Sequence, residues 1–120
     1  MATNVSDEAT VTFELDTAAD TPTLTFTDSS NGSDITNSDT ITVGNLETNA
    51  TWAYEVDNDD NWITGNGTSF TATNDGNSHT YTVRQTDVAT NISDEADTVS
   101  FTLDTTKPVT PTLSLSLIHI

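Results

Sequence analysis

The chain carries 14 Asp and 5 Glu against two basic residues, Arg84 and Lys107, for a formal net charge of -17. Its carboxylates gather where the chain turns. Asp28 and Asp34 sit in "DSSNGSD", with Asn37 just beyond, and Asp87, Asn91 and Asp94 sit in "TDVATNISD". Asp104 and Thr106 lie in "LDTTKP", and an earlier copy of that stretch, from Leu15, supplies Asp16. Asp and Asn oxygens, with backbone carbonyls, suit a hard divalent cation, and calcium takes about 6–8 such oxygens. One short loop seldom provides that many, so two loops at the same end of a fold are expected to share an ion. An ion held by the "LDTT" residues would bridge neighbouring units. Turns also favour Asp and Asn for conformational reasons alone. That explains any one of them, but not carboxylates recurring side by side with almost no cation to balance them.

Other chemistries find little footing. There is no Cys, so no thiol chemistry and no disulfide framework. Of the two histidines, His79 is expected in a turn and His119 lies in a tail, "SLIHI", whose composition breaks from everything before it. No Ser or Asp pairs with a base, and no enzyme constellation is expected. The run "DNDDN" at 57–61 fails as an EF-hand loop, because Trp62 stands at the sixth position and Thr68 at the twelfth. A hairpin turn accounts for it better. "DEAD" at 94–97 lacks a phosphate-binding Gly-rich loop before it. So acidic a surface repels phosphate backbones and anionic lipid, which excludes nucleic acid and membrane surfaces as expected partners. No apolar run is long enough to span a bilayer and no signal-peptide pattern is visible. The chain reads as a piece of a longer protein with Met1 added, and "SLIHI" as a cloning scar or a cut-short strand.

The elements that must position these residues alternate with period two. Leu24 and Phe26, Ile41 and Val43, Trp52, Tyr54 and Val56, Phe70 and Ala72, Tyr81, Val83 and Gln85, and Val99, Phe101 and Leu103 each share a strand face, and a short "WIT" starts at Trp62. Helical stripes are absent, and abundant Thr favours strand over helix. Asn, Asp and Gly clusters separate the runs. Seven short strands with turns every 8–12 residues predict an all-β, immunoglobulin-like β-sandwich of about seven antiparallel strands.

Two segments occur twice. "NVSDEATVTFELDT" from Asn4 returns as "NISDEADTVSFTLDT" from Asn91, and "TPTL" at Thr21 returns at Thr110. The offsets, Asn4 to Asn91 and Pro22 to Pro111, give a period of 87–89 residues. A tandem array explains this. Residues 1–17 are then the end strand and linker of a preceding repeat, or alternatively an added edge strand of this domain. Residues 18–106 form the whole sandwich, and 107–120 the linker and start of the next repeat.

The phrases "SDITNSDTITV", "ATWAYEVD", "GTSF", "VRQTDVATNIS" and "FTLDTT", in that order, resemble the Ig-like repeats of large secreted RTX-type bacterial adhesins and biofilm proteins. The resemblance covers nearly the whole chain. It implies a non-catalytic extender domain at the extracellular bacterial cell surface, stiffened by Ca²⁺ at its ends and junctions, with neighbouring Ig-like repeats as partners and the isolated piece monomeric. The family often has Gly where this chain has Thr90. A carbohydrate- or protein-binding module on the same sandwich is the alternative, and an exposed aromatic patch would mark it. Ranked threonines such as "TLTFT" suggest ice contact, but the short regular repeat of ice-binding solenoids is missing.

Overall fold

A computed structural model describes residues 2–26 and 34–115. The described residues form two β-sheets and no helix. The elements are β1 (Thr23–Thr25), β2 (Ile35–Thr36), β3 (Thr40–Gly44), β4 (Thr51–Val56), β5 (Ile63–Thr64), β6 (Ser69–Thr71), β7 (Ser78–Thr86) and β8 (Val99–Leu103). One sheet has the order β1-β3-β6 and the other β2-β8-β7-β4-β5. Such a division, with β1 in one sheet and β2 paired with the last strand in the other, is an immunoglobulin-like sandwich.

Among the described residues eight strands stand, in keeping with the seven or so read from sequence; the additional one, β2, is only two residues long and too short to show alternation. That strand also runs parallel to β8, pairing Ile35 with Thr102 and Thr36 with Leu103, so the sandwich is not wholly antiparallel.

Period-two alternation places the core. Ile41, Val43, Trp52, Phe70, Ala72, Tyr81, Val83, Phe101 and Leu103 are all buried between the sheets. Phe26 stacks on Phe101 at 4.3 Å between ring centroids, and Tyr54 on Phe70 at 4.0 Å. The Thr73 backbone N–H donates to the Tyr81 hydroxyl (2.9 Å), pinning the β6–β7 corner to β7 much as a tyrosine corner does. "DNDDN" is a hairpin turn between β4 and β5, and Asp57, Asn58 and Asp60 all take left-handed backbone conformations there. Asn and Asp adopt such conformations more readily than most side chains, which explains their presence without any ion.

Register fixes which loops meet. Thr23 opposes Gly44, and Thr51 opposes Thr86, so the entry to β1, the β3–β4 loop and the β7–β8 turn share one end. At the other end Ser78 opposes Thr102, and the β4–β5 and β6–β7 loops lie beside the exit of β8. The chain therefore enters at one end and leaves at the other.

The repeated segments differ sharply in surroundings. Phe101 and Leu103 are each 1% exposed, whereas their counterparts Phe13 and Leu15 are 75% and 78% exposed. No residue from 2 to 22 pairs with either sheet.

Candidate metal centre

The entry end collects acids from three separate stretches. Asp87 closes β7 and begins a five-residue turn, in which its N–H donates to the Asn91 carbonyl (3.0 Å) and its Oδ1 accepts the Asn91 N–H (2.8 Å). Asn91 Nδ2 donates both to Asp87 Oδ2 (3.0 Å) and to the Asp16 carbonyl (2.8 Å). These bonds hold the Asp87 carboxyl below its ordinary value. Asn91 is the main cause, outweighing the opposing effect of burial, and a side-chain hydrogen bond with Asp16 adds to it. The Asn91 amide thus joins the Asp87 carboxylate to the Asp16 carbonyl at the point where the chain reaches the sandwich.

Glu47, from the β3–β4 loop, joins them. Its Oε2 is buried and has no hydrogen-bond partner. Burial raises its pKa, and the charges of Asp20, Asp87 and Asp16 push the same way, against a backbone hydrogen bond with Asp20 that lowers it. The Glu47 N–H donates to Gln85 Oε1 (2.9 Å), which ties the loop to β7. Arg84 is engaged elsewhere, its guanidinium lying 4.0 Å over the Trp62 ring.

Among the described residues, no three acidic or histidine side chains converge closely enough to cage a metal as they stand. What the entry end offers is carboxylate and amide oxygens, one of them the unpartnered Glu47 Oε2. Oxygens of this kind are the donors that a hard cation such as Ca²⁺ takes.

Of the residues singled out from sequence, Asp16, Asp87 and Asn91 come together here. Asp94 is exposed three residues further on, with its carbonyl accepting from Ser93 Oγ. Asp34 and Asn37 flank β2 at the opposite end, where the Asp34 carbonyl accepts the Thr102 N–H. Sharing one ion between the loop after the first strand and the β7–β8 turn is therefore ruled out for Asp34. The nine residues of β7 separate the two ends, about 25–30 Å at the rise of an extended strand. Asp28 and the "SLIHI" tail lie outside the described residues. Asp104 Oδ1 accepts the Thr106 N–H (3.0 Å), and Asp16 Oδ1 accepts the Ala18 N–H (3.3 Å), so both linker copies make the same local turn. Asp20 and Glu47 were missed. Each is a lone acid in its loop, and only the shared end of two loops brings it to the group.

The turn holding Asp87 and Asn91 is strained at one residue. Thr90 has φ 68°, a left-handed conformation that costs a β-branched residue free energy. Glycine would suit that position, which is where the resemblance had placed it.

His79 corrects another expectation. It lies in β7 rather than in a turn. Its Nδ1 meets Asp57 Oδ2 at 2.6 Å, and its Nε2 meets Asp75 Oδ1 and Oδ2 at 2.8 and 2.9 Å. Hydrogen bonds from Asp57 first and Asp75 second raise its pKa. The trio locks the β4–β5 and β6–β7 loops together at the exit end. Its two nitrogens point to different acids, so it is a clamp and not a metal cage.

No protein-family model matches the chain, and no curated protein matches its sequence.

Proposed function

We propose that this chain is a non-catalytic extender unit of a giant secreted bacterial surface adhesin, stiffened by Ca²⁺ where one unit meets the next. The observation that carries this reading is the buried, unpartnered Glu47 Oε2, set among the charges of Asp20, Asp87 and Asp16. They meet at the junction between the repeated segment and the sandwich. Asp16, Glu47, Asp87 and Asn91 would hold the ion, with Asp20 near. Both Asn91 amide hydrogens are already used, on Asp87 and on the Asp16 carbonyl, which leaves its Oδ1 for a cation.

A bound cation neutralises carboxylates that otherwise repel. It links the incoming segment (Asp16), the β3–β4 loop (Glu47) and the β7–β8 turn (Asp87, Asn91), so bending at the junction would break ligand bonds. Entry and exit at opposite ends support end-to-end stacking. The duplicated segments support a neighbour of the same kind on either side. Exposed Phe13 and Leu15, buried in their second copy, support the assignment of residues 4–17 to a preceding unit. Core aromatics face inward and Trp62 lies beneath Arg84, which favours a spacer over a carbohydrate-binding face.

Thermal unfolding with Ca²⁺ and with chelator tests this. A cation at a hundredfold excess over its Kd stabilises by about 2.7 kcal/mol. For a domain of this size that raises Tm by about 10–20 °C. Equal melting temperatures under both conditions would sink the proposal.

A further inference from the structure

Three side-chain amides, from three separate places in the fold, each donate to a backbone carbonyl of the incoming segment. Asn91 Nδ2 reaches the Asp16 carbonyl (2.8 Å), Gln85 Nε2 the Asp20 carbonyl (2.6 Å) and Asn45 Nδ2 the Thr21 carbonyl (2.8 Å). Pro22, next in line, is fully buried. Gln85 is the hub. It is completely buried, its second amide hydrogen goes to the Asn45 carbonyl (2.9 Å), and its Oε1 accepts the Glu47 N–H (2.9 Å). Every polar atom of that side chain is thereby satisfied, and the cost of burying it is offset by bonds to three backbone groups.

We propose that these amides are a cation-independent clamp, with Gln85 as its principal positioning residue, that sets the direction in which the preceding unit enters the sandwich. The proposal rests on reading residues 4–17 as the end of that unit. Amide N–H groups hold carbonyls and need no metal. The clamp acts on the main chain from Asp16 to Thr21, while the cation is expected to act on side-chain carboxylates. Orientation and stiffness then have separate origins. The clamp aims the joint and places Asp16, Asp20 and Glu47, and the ion tightens a joint already aimed. No repulsion among the acids need be overcome to define the direction, so the array keeps its course when calcium falls.

The test uses the absence of native cysteine. Thr17→Cys, exposed within the clamped segment of the arm, and Thr64→Cys, on the exposed edge of β5, carry spin labels in the otherwise complete chain. Pulsed electron spin resonance then reads the distribution of distances between arm and sandwich. It is compared for the parent, Gln85→Met and Asn45→Gly, each with chelator and with Ca²⁺, and near-ultraviolet circular dichroism checks folding. Asn45 is exposed and has φ 56°, so glycine removes only the amide and leaves its left-handed backbone unstrained. With chelator, the parent is expected to give one narrow distribution, and both variants distributions about twofold broader. A parent that is as broad as the variants in chelator, or a folded Asn45→Gly as narrow as the parent, overturns the clamp. If the parent narrows only on adding Ca²⁺, the clamp fails while the cation reading stands. If Ca²⁺ changes no distribution but the variants broaden, the clamp stands and the cation does not stiffen the joint.

Discussion

Replacing Phe101 and Phe13 by alanine, separately, compares one residue type at corresponding positions of the two segment copies. Phe101 is 1% exposed, stacks on Phe26 at 4.3 Å and lies 5.2 Å from the Tyr81 ring. Removing a buried aromatic side chain of this kind costs about 3–5 kcal/mol, from lost burial and the cavity left behind. Natural domains hold about 5–15 kcal/mol in all, so Phe101→Ala should lose a large share of its margin. With a urea slope of about 2 kcal/mol per molar, its midpoint should drop by about 1.5–2.5 M. Phe13, 75% exposed, should cost no more than about 0.5 kcal/mol, the usual range for a surface change. Urea titration followed by tryptophan fluorescence reads both, because Trp52 is buried in the same core. Comparable losses from the two variants would refute the reasoning. Residues 4–17 would then pack on this sandwich, and the division into end strand and whole domain would fall.

Further expectations follow from the two ends. Thr90→Gly should relieve the left-handed strain at φ 68° and stabilise the chain by about 1 kcal/mol, read as a rise in urea midpoint; a destabilised variant would show that Thr90 is held by contacts worth more than the strain. The His79 clamp should depend on pH from both sides. Its raised pKa means that its contribution is complete below the ordinary histidine value of 6.5 and fades as pH rises through the folded value. Asp57 and Asp75 are lowered, by backbone N–H bonds first and His79 next, so their contribution is complete above 3.8 and fades as pH falls through their folded values. The stability gap between the parent and His79→Gln should therefore be widest between about pH 4 and 6.5 and narrower at pH 9, and a flat gap in denaturant titrations would contradict this. Glu47→Gln removes a charge that burial and neighbouring acids disfavour. It should stabilise the chain in chelator at neutral pH and shrink the gain on adding Ca²⁺, whereas an unchanged gain in melting experiments would remove Glu47 from the site.

Much of the fold was legible because a strand buried on one face must alternate. Ile41 and Val43, Phe70 and Ala72, and Phe101 and Leu103 announced their inward faces, and the Asn/Asp/Gly clusters announced the turns. Gln85 belonged to the inward-facing series despite being polar, and its burial is explained by the carbonyls and N–H group that it serves. What stayed hidden was short or non-local. The β2 strand has two residues, and its parallel pairing with β8 leaves no periodic trace. His79 looked like a turn residue because Asn, Asp and Gly precede it, but its strand begins one residue earlier, at Ser78.

The site was half legible for the same reason. Asp16, Asp87 and Asn91 stood out as acids and amides in repeated or clustered stretches. Asp20 and Glu47 had no local signal. The pairings of Thr23 with Gly44 and Thr51 with Thr86 carry the β1 entry, the β3–β4 loop and the β7–β8 turn to one end. Residues 31 and 40 positions apart, Asp16 with Glu47 and Glu47 with Asp87, become electrostatic neighbours only through that topology. Asp34 failed to join them because the pairing of Ile35 with Thr102 holds it toward the exit end.

The most direct test of the central claim is diffraction from crystals of this chain grown in millimolar Ca²⁺. The account predicts one ion at the entry end, bound by oxygens of Asp16, Glu47, Asp87 and Asn91, with Glu47 Oε2 no longer without a partner. Ordered density there with those four side chains turned away from it, or no cation at all, would contradict the account.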